Sequence, residues 1–428
     1  MLKVLIITYY WPPAGGPGVQ RWLKFVKYLR DFDIEPIVYC PQNPSYPLLD
    51  DTLEKDIPKD ITILKKPIFE PYRFAEVFSK SASTTISKGI IVNEEKQSLI
   101  QKLLLYIRGN FFIPDARKFW VRSSVKYLDQ YLQTKPIDIL ITTGPPHSVH
   151  LIGKELKKKI GLPWLADFRD PWTTIGYHKK LKLSKRAAAK HKKLESAVLN
   201  AADRLLVTSY TTAKEFKTLT NKPISVITNG YDEYNYSEVE LDKNFTISHI
   251  GSLLSGRNPI QLWQALYDLT IEDEDFAKFF KLQLIGATSP EVLESLQAIG
   301  LLMFIEDKGY VSHQEALKLQ KSSQVLLLIE IDSKETECII PGKLFEYMVS
   351  KRPILAIGPK NADIRSIIME TETGSFFEYD SYNLIKEQLK KYFDLYQNQK
   401  LSTKPVGLEK YSRKSLTQNL AQVLKQMI

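Results

Sequence analysis

The segment Pro341–Tyr347 has the residue types and spacing best suited to binding chemistry, and it reads Pro-Gly-Lys-Leu-Phe-Glu-Tyr. Short apolar runs typical of buried strands precede and follow it. Between them we expect a helix with Pro341 as its first residue, because a missing N–H costs no hydrogen bond there. Lys343 and Glu346 then lie on one face, next to the unpaired N–H groups of the helix start.

A cation beside free amide donors can bind phosphate, and a carboxylate one turn later can accept hydrogen bonds from sugar hydroxyls. The segment therefore indicates a site for a nucleoside diphosphate. The alternative is an ordinary surface pair of Lys343 and Glu346, worth about 0.2–0.5 kcal/mol, on a helix whose other face enters the core. The rest of the chain has to decide between them.

Length and composition indicate a two-domain globular protein with an anionic partner. The chain has 428 residues, 43% apolar and 25% charged, and a net charge of +10. Cys40 and Cys338 form neither a disulfide framework nor a metal-site spacing, which favours a reducing cytoplasm. Residues 2–7 run directly into a strand pattern and no apolar stretch is long enough to cross a bilayer, so we expect neither a signal peptide nor a membrane span.

Strand and helix patterns alternate in both halves of the chain, which predicts parallel sheets covered by helices on both faces. The predicted strands are Leu2–Tyr10, Ile34–Tyr39, Ile137–Thr142, Trp164–Phe168, Leu205–Val207, Ile224–Ile227, Phe245–Ile250, Leu282–Ile285, Val325–Ile329, Ile354–Ile357 and Ser375–Phe377. Two such series predict an α/β fold of two Rossmann-like, doubly wound domains that face each other across a cleft.

The predicted domains are residues 1–238 and 239–405, and a C-terminal helix within residues 406–428 is expected to pack back on the first domain. The polar stretch Glu233–Asn244 is the predicted hinge. Residues 80–96 read as an irregular loop.

Two loops of the first half follow strands, at the edge where open α/β sheets bind ligands. Gly15 and Gly16 either let a bound substrate approach the backbone or form a plain tight turn. They are not part of a dinucleotide fingerprint, because Arg21 occupies the position of the third Gly of G-x-G-x-x-G. His147, after a later strand, is either a catalytic group in the cleft or a structural hydrogen-bonding residue.

Charged residues follow two further strands. Arg169 and Asp170 can bind acceptor hydroxyls, or they can belong to a structural ion-pair cluster. In the second half, Gly251 and Arg257 lie on the loop after the first strand, where Arg257 is well placed for a phosphate. Arg257, Lys343 and a helix start together can bind a diphosphate without a metal ion, so we expect neither a metal nor a cofactor.

Two basic segments with interleaved apolar residues predict contact with anionic lipid headgroups. His178–Lys193 contains eight Lys and Arg residues and no carboxylate, and Gln101–Trp120 combines basic residues with Leu, Phe and Trp. A solvated helix face is the other interpretation. Nucleic acid is not expected, because no nucleic-acid-binding motif accompanies the charge.

With these motifs in order, the chain resembles family four of the retaining glycosyltransferases, which share the two-domain GT-B architecture of the glycosyltransferase group 1 type. The resemblance spans nearly the whole chain. It is carried by Pro12–Gly18, Thr228–Asp232, Gly251–Arg257, Gly309–Val311, and Pro341–Tyr347 with the following Pro353–Ala356.

The resemblance implies a nucleotide-sugar donor held mainly by the second domain. Arg257 matches the phosphate-binding cation of the family, Glu346 the carboxylate on the donor ribose, and Tyr310 and Val311 the backbone contacts to the base. The chain departs from the family's Glu-x7-Glu pair, since Cys338 stands where the first Glu would fall. The identity of the transferred sugar therefore stays open.

The sequence thus predicts a retaining, metal-independent hexosyltransferase that acts on a polysaccharide, lipopolysaccharide or lipid-linked acceptor. Arg257, Lys343 and the helix start would stabilise the departing diphosphate, and His147 would position the sugar. The expected location is the cytoplasm, with peripheral attachment to the inner face of the cell membrane. Two alternatives remain: a nucleotide-sugar epimerase of the same architecture, and a non-catalytic nucleotide- or lipid-binding protein.

Overall fold

The computed structural model of the protein describes residues 1–71, 99–232 and 239–428. The chain separates into two compact units: Met1–Asn229 together with Arg413–Ile428 form the first, and Gly230–Ser412 form the second. The sequence places the boundary after residue 238, whereas the units divide after Asn229. The loop predicted at residues 80–96 lies outside the described residues, as do residues 233–238 of the predicted hinge.

The first unit contains a seven-stranded parallel sheet with the order β3-β2-β1-β4-β5-β6-β7. Its strands are β1 (Leu2–Thr8), β2 (Ile34–Pro41), β3 (Thr62–Lys66), β4 (Ile139–Gly144), β5 (Trp164–Phe168), β6 (Arg204–Val207) and β7 (Ile224–Val226). Its helices within the described ranges are α1 (Pro17–Leu29), α2 (Leu99–Phe111), α3 (Lys118–Thr134), α4 (Ser148–Ile160), α5 (Gly176–Lys179), α6 (Lys185–Ala201), α7 (Tyr210–Lys217) and, from the C-terminus, the helix Arg413–Lys425.

The second unit contains a six-stranded parallel sheet with the order β10-β9-β8-β11-β12-β13. Its strands are β8 (Phe245–Ile250), β9 (Phe280–Ile285), β10 (Ile305–Gly309), β11 (Val325–Ile329), β12 (Ile354–Ile357) and β13 (Gly374–Phe377). Its helices within the described ranges are α8 (Ile260–Glu272), α9 (Glu274–Phe279), α10 (Pro290–Ile299), α11 (His313–Ser322), α12 (Gly342–Val349), α13 (Asp363–Glu370) and α14 (Tyr382–Gln397); Arg413–Lys425 is α15.

Alternating side chains of the central strands enter two different cores, one on each face of each sheet. In β1, Leu5 and Ile7 join the cluster on one face, whereas Val4 and Ile6 join the cluster on the other. In β11, residues 327 and 329 likewise face one cluster and residues 326 and 328 the other. Both faces are covered by helices, so the prediction of two Rossmann-like, doubly wound α/β domains is confirmed.

Two strands escape sequence-based prediction, and both lie at an edge of a sheet. The edge strand β3 reads Thr-Ile-Leu-Lys-Lys and β10 reads Ile-Glu-Asp-Lys-Gly, and none of their side chains is fully buried. An edge strand needs no continuous apolar run, because one of its sides faces solvent or loops. The apolar signal that identifies central strands is therefore absent from β3 and β10.

The C-terminal helix α15 packs against α1 in the first unit. Leu416 and Leu420 are buried in the core cluster that also contains the buried face of α1. At its start, Arg413 donates from Nη2 to Oε1 of Gln20, at 2.7 Å.

A fully buried carboxylate, Asp167, ties α1 to the carboxyl ends of β4 and β5. Its oxygens accept hydrogen bonds from Arg21 Nη2 at 3.1 Å, Trp22 Nε1 at 2.6 Å and Thr143 Oγ1 at 2.8 Å. The second Arg21 amino group donates to the carbonyl of Thr228 at 2.8 Å. Asp167 therefore has a structural role, and its charge is matched by a buried guanidinium.

Asp167→Asn should lower the free energy of unfolding by about 3–5 kcal/mol, because it leaves Arg21 as an uncompensated buried charge. Urea denaturation at neutral pH measures this. The matched control is Asp129→Asn, which breaks the exposed ion pair with Lys159 and should cost less than about 1 kcal/mol. Equal, small losses in the two variants would contradict the structural role.

Candidate functional site

The second unit has its topological switch point between β8 and β11, which are hydrogen-bonded neighbours although two strands separate them in sequence. From β8 the chain proceeds towards β9 on one side, and from β11 towards β12 on the other, so a crevice forms beyond their carboxyl ends. Gly251 directly follows β8 and Glu330 directly follows β11. Charged side chains from two further segments reach this edge.

Lys343, near the start of α12, directs its ammonium group to the end of β8. Its Nζ lies 3.1 Å from the carbonyl oxygen of Ile250 and 3.1 Å from Nε2 of His249. Burial lowers the pKa of Lys343 to about 8, with a contribution from Arg257, while Glu330 acts in the opposite direction. Burial likewise lowers the pKa of His249 well below its usual value, so a neutral imidazole accompanies the ammonium group.

Arg257 brings a second cation to the same edge. Its Nη2 lies 3.3 Å from Oε2 of Glu330, whose side chain is almost fully buried. Burial raises the pKa of the Glu330 carboxyl group, and the nearby charges of Arg257 and Lys343 oppose that shift. The site thus combines two cations with one buried carboxylate.

Glycines let the backbone approach this cluster closely. Gly251 has φ of 114° and Gly286, after β9, has φ of 123°, a region that residues with a Cβ rarely adopt. A Cβ on Gly286 would lie 2.6 Å from the carbonyl oxygen of Gly251, and one on Gly251 would lie 3.5 Å from Lys343 Nζ. The site predicted at Gly251, Arg257 and Lys343 is therefore assembled as one cluster.

The start of α12 differs by one residue from the sequence-based prediction. Pro341 is the N-cap, with φ of −68° and ψ of 141°, and the helix begins at Gly342. The prediction that Pro341 is the first helical residue is wrong because its ψ is extended. Within the described part of the chain, no side chain caps this helix end, so its first N–H groups remain available for an anion near Lys343.

Glu346 and Lys343 contact different neighbours. Glu346 accepts a hydrogen bond from Gln320 Nε2 at 3.2 Å and lies 3.8 Å from Nε2 of His313, both on α11. Tyr310 is 88% exposed beyond β10, and Val311 is half-buried against the core. Contacts of Glu346 with a ribose and of the 310–311 backbone with a base stay predictions.

Glu337 and Cys338, where the sequence departs from the Glu-x7-Glu pattern, have partners elsewhere in the second unit. Glu337 accepts a hydrogen bond from Asn361 Nδ2 at 3.2 Å. Cys338 Sγ lies 3.6 Å from the carbonyl oxygen of Glu335.

The acidic triplet Asp273–Asp275 is a surface feature in which Asp273 caps α9.

Sequence reasoning missed Glu330 and His249. Glu330 carried a usable signal, since it is a carboxylate immediately after a buried strand on the edge where ligands bind. His249 carried none, because a single histidine within the strand Phe-Thr-Ile-Ser-His-Ile gives no indication of which residue it meets. Its contact with Lys343 joins residues 94 positions apart.

In the first unit, the switch point lies between β1 and β4, and His147 is the N-cap of α4 beyond β4. The residue is 6% exposed, and its ring stacks on Trp172, with centroids 4.8 Å apart and an interplanar angle of 2°. Neither ring nitrogen has a hydrogen-bond partner among the described residues. Burial, together with His150, lowers the pKa of His147 well below its usual value, so the imidazole is neutral at pH 7.

Arg169 lies close to His147, but its guanidinium is largely engaged by backbone. Its Nε donates to the carbonyl of Gly144 at 3.2 Å, and its Nη2 donates to the carbonyl of Pro145. A Cβ on Gly18 would overlap this guanidinium. Burial raises the pKa of the adjacent Asp170.

Gly15 and Gly16 form the turn before α1. Gly15 donates its N–H to the carbonyl of Leu48 at 3.0 Å, and Gly16 has φ of 98° at the helix N-cap. The positive φ of Gly16 fits a tight turn, and the Gly15 hydrogen bond joins this turn to the segment at residue 48. Substrate contacts of Gly15, Gly16, Arg169, Asp170 and His147 stay predictions.

Another buried polar cluster at the end of β1 had no sequence signal. Tyr9 donates from its hydroxyl to Glu70 Oε1 at 2.7 Å, and Arg117 Nε lies 3.0 Å from the same oxygen. Because these residues are 61 and 47 positions apart, no local motif joins them. These contacts join the end of β1 to the segment after β3 and to the residue that precedes α3.

The two sheets, their strand orders and the helices on both faces define the two-domain, Rossmann-like GT-B fold, and solved structures share it over the whole chain. The lipopolysaccharide outer core galactosyltransferase WaaB, in its apo form, is 14% identical over 100% of both chains, with a TM-score of 0.59. HepE from Anabaena, solved with UDP-glucose, is 13% identical over 100% of both chains, with a TM-score of 0.59.

A putative UDP-N-acetylglucosamine 2-epimerase from Listeria monocytogenes also shares the fold. It is 13% identical over 99% of this chain and 96% of its own, with a TM-score of 0.53. No family model and no curated protein matches the sequence. Within the described ranges, no helix has the length and apolarity that a membrane span requires.

Binding of an organic diphosphate such as UDP should weaken roughly tenfold between pH 7 and pH 9, because Lys343, with a pKa of about 8, loses its proton in this window. Isothermal titration calorimetry measures the dissociation constant. Lys343→Arg is the matched control, since a guanidinium keeps its charge throughout and any titration of the nucleotide affects both proteins equally. Parallel losses in the two proteins would show that Lys343 is not the titrating group.

Proposed function

We propose that the protein is a glycosyltransferase that moves a hexose-type sugar from a nucleoside-diphosphate sugar to a glycan or lipid-linked acceptor. The observation that carries the proposal is the pairing of Arg257 and Lys343 at the switch point of the second unit, beside Gly251 and the uncapped start of α12. Two cations and free N–H groups suit the two negative charges of a diphosphate diester. The GT-B fold supports the same assignment.

The proposed reaction breaks the bond between the anomeric carbon and the β-phosphate oxygen, and it forms a bond from that carbon to an acceptor oxygen on the same face. The acceptor's proton goes to the departing phosphate, so no protein base is required. Positive charge on Arg257 and Lys343 stabilises the leaving diphosphate, which supports transfer without a divalent metal. Retention rests on the resemblance to family four.

The imidazole of His147 is neutral and has no hydrogen-bond partner among residues 1–71, 99–232 and 239–428, so it suits a hydrogen bond to a sugar hydroxyl. The parallel Trp172 ring fixes its plane, so the group is preorganised. We assign His147 to positioning the transferred sugar and the edge of the first unit to the acceptor. Polysaccharide or lipopolysaccharide assembly is the proposed setting.

A screen of UDP-, GDP- and dTDP-sugars by thermal shift should identify a donor that raises the melting temperature. Arg257→Ala and Lys343→Met should each weaken donor binding at least tenfold, since a hydrogen bond to a charged group contributes about 1.5–3 kcal/mol. Lys318→Ala, an exposed lysine of the same unit, is the control and should leave binding unchanged.

Incubation of the identified donor with glycan and lipid-linked acceptors, in EDTA, should yield a glycoside whose anomeric configuration by NMR equals that of the donor. Epimerisation of the donor sugar without an acceptor would replace the transferase assignment by the epimerase one. Tight donor binding with neither transfer nor hydrolysis would indicate a non-catalytic nucleotide-sugar-binding protein. Absence of binding by every nucleotide sugar would refute the proposal.

We further propose that the first unit docks on an anionic membrane surface, where a lipid-linked acceptor would lie. The two basic segments predicted from sequence meet in the structure: Asn110 at the end of α2 donates to the carbonyl of Lys182 at 3.3 Å and accepts from the N–H of Ser184 at 2.8 Å. Residues 99–114 and 172–194 contain no carboxylate.

Exposed apolar and aromatic side chains lie on this basic surface: Leu103, Tyr106, Phe111 and Phe119 are 58%, 42%, 64% and 47% exposed. Lys118 Nζ lies 5.5 Å and 5.2 Å from the ring centroids of Phe112 and Phe119. The pKa of Lys118 is lowered by burial and by the proximity of Lys190 on α6. Aromatic side chains surrounded by lysines suit the headgroup region of an anionic bilayer.

The double variant Arg186→Glu/Lys190→Glu reverses two charges one helical turn apart on α6. It should lower partitioning into phosphatidylglycerol vesicles at least tenfold, because each basic residue near such a surface contributes about 1 kcal/mol. Vesicle co-sedimentation at low and high salt measures this. Lys318→Glu in the second unit is the control, and equal partitioning of all proteins would refute the docking surface.

A further inference from the structure

Glu330 occupies a position that should be unfavourable in a pocket for a negatively charged ligand. It directly follows β11, it is 1% exposed, and its Oε2 lies 3.3 Å from Arg257 Nη2. Two hydrogen bonds fix the backbone of Glu330. Its N–H donates to the carbonyl oxygen of Ile357 at 2.8 Å, and its own carbonyl oxygen accepts from the Tyr379 hydroxyl at 2.8 Å. A carboxylate is therefore fixed beside the cation that the donor diphosphate needs.

The groups that face Glu330 come from every element around it. Arg257 comes from the loop after β8, Lys343 from α12, and Tyr379 from the segment after β13. His249 reaches the cluster through Lys343. Asp332, two residues further along, is exposed and acts mainly on Tyr379.

Before a ligand binds, the Glu330 carboxylate offsets part of the charge of the two cations, which would otherwise be costly to keep out of water. A bound diphosphate would supply this compensation itself. It would then repel Glu330, which is too buried to rotate into solvent. Protonation of the carboxyl group removes the repulsion, and burial already raises the pKa of Glu330 towards such a change.

We propose that Glu330 is an internal counter-ion of Arg257 and Lys343 that takes up a proton when the diphosphate binds and releases it when the nucleoside diphosphate leaves. This inference rests on the proposed function. One proton passes from solvent to the Glu330 carboxylate on binding and returns on product release, so no other reactant is needed. Glu330 is thus a positioning residue that limits product affinity and promotes turnover.

Proton uptake can be measured by isothermal titration calorimetry with the nucleotide sugar found in the screen. The titration is carried out at pH 6.5 in two buffers of different ionisation enthalpy, and the difference in binding enthalpy gives the number of protons taken up. A diphosphate diester takes up no proton itself near this pH. Lys343 is already protonated there, since its pKa is about 8. The wild-type protein should take up a substantial fraction of one proton per ligand, and Lys343→Arg should retain this uptake.

Glu330→Gln keeps the shape and the acceptor oxygen that faces Arg257 but removes the charge. It should bind the nucleotide sugar and the product diphosphate about tenfold more tightly, abolish the proton uptake, and lower both KM and kcat because product release slows. Asp332→Asn, which neutralises an exposed carboxylate in the same loop, is the control and should change neither quantity.

Binding by the wild-type protein without proton uptake would overturn the role of Glu330 and leave the proposed function intact. If a folded Glu330→Gln protein binds the product with unchanged or weaker affinity, the role of Glu330 is likewise overturned and the proposed function is left intact. A purely structural ion pair predicts weaker binding. If no nucleotide sugar binds the wild-type protein, the proposed function fails. The proton measurement on the wild-type protein needs no variant, so poor folding of Glu330→Gln cannot obscure the result.

Discussion

The arrangement on which the second unit depends is the gathering of two cations at the carboxyl ends of parallel strands, where the surrounding structure partly excludes water. Placing charge there is unfavourable unless compensation is near, and Lys343 responds with a lowered pKa. The Glu330 carboxylate and the carbonyl of Ile250 compensate for part of this cost. An anionic ligand can supply the remainder, which supports the proposal that this edge binds a diphosphate.

Backbone hydrogen bonds of glycine residues also shape this edge of the second unit. Gly251 donates its N–H to the carbonyl of Ile285, and Gly286 donates to the carbonyl of Gly309, both at 2.7 Å. The ends of β8, β9 and β10 are therefore linked by residues whose positive φ values exclude most side chains. This leaves space beside Lys343, which a side chain at residue 251 would begin to fill.

The sequence predicts the central strands well, but it misses two of the four edge strands and the balance of charge at the site. Trp164–Phe168, Phe245–Ile250 and Val325–Ile329 have the same bounds in the structure, because strands that are buried on both faces are rich in apolar residues. The strands β3 and β10 have no such constraint. Arg257 and Lys343 were recognisable from their positions after strands, whereas the pairing of Arg257 with Glu330 joins residues 73 positions apart. Such pairings depend on strand order, which local patterns do not encode.

Both units contain a parallel sheet with a switch point, but the charges at the carboxyl ends of their strands differ. At the edge of the first unit, buried charges are matched internally: Asp167 is held by Arg21 and Trp22, and Glu70 by Arg117. One of the groups at this edge that has no hydrogen-bond partner among the described residues is His147, whose imidazole is neutral. At the edge of the second unit, cations exceed the carboxylate that accompanies them. A neutral hydrogen-bonding edge suits sugar hydroxyls, and a cationic edge suits phosphate. The difference in charge between the edges therefore supports an assignment of the donor diphosphate to the second unit and of uncharged carbohydrate to the first.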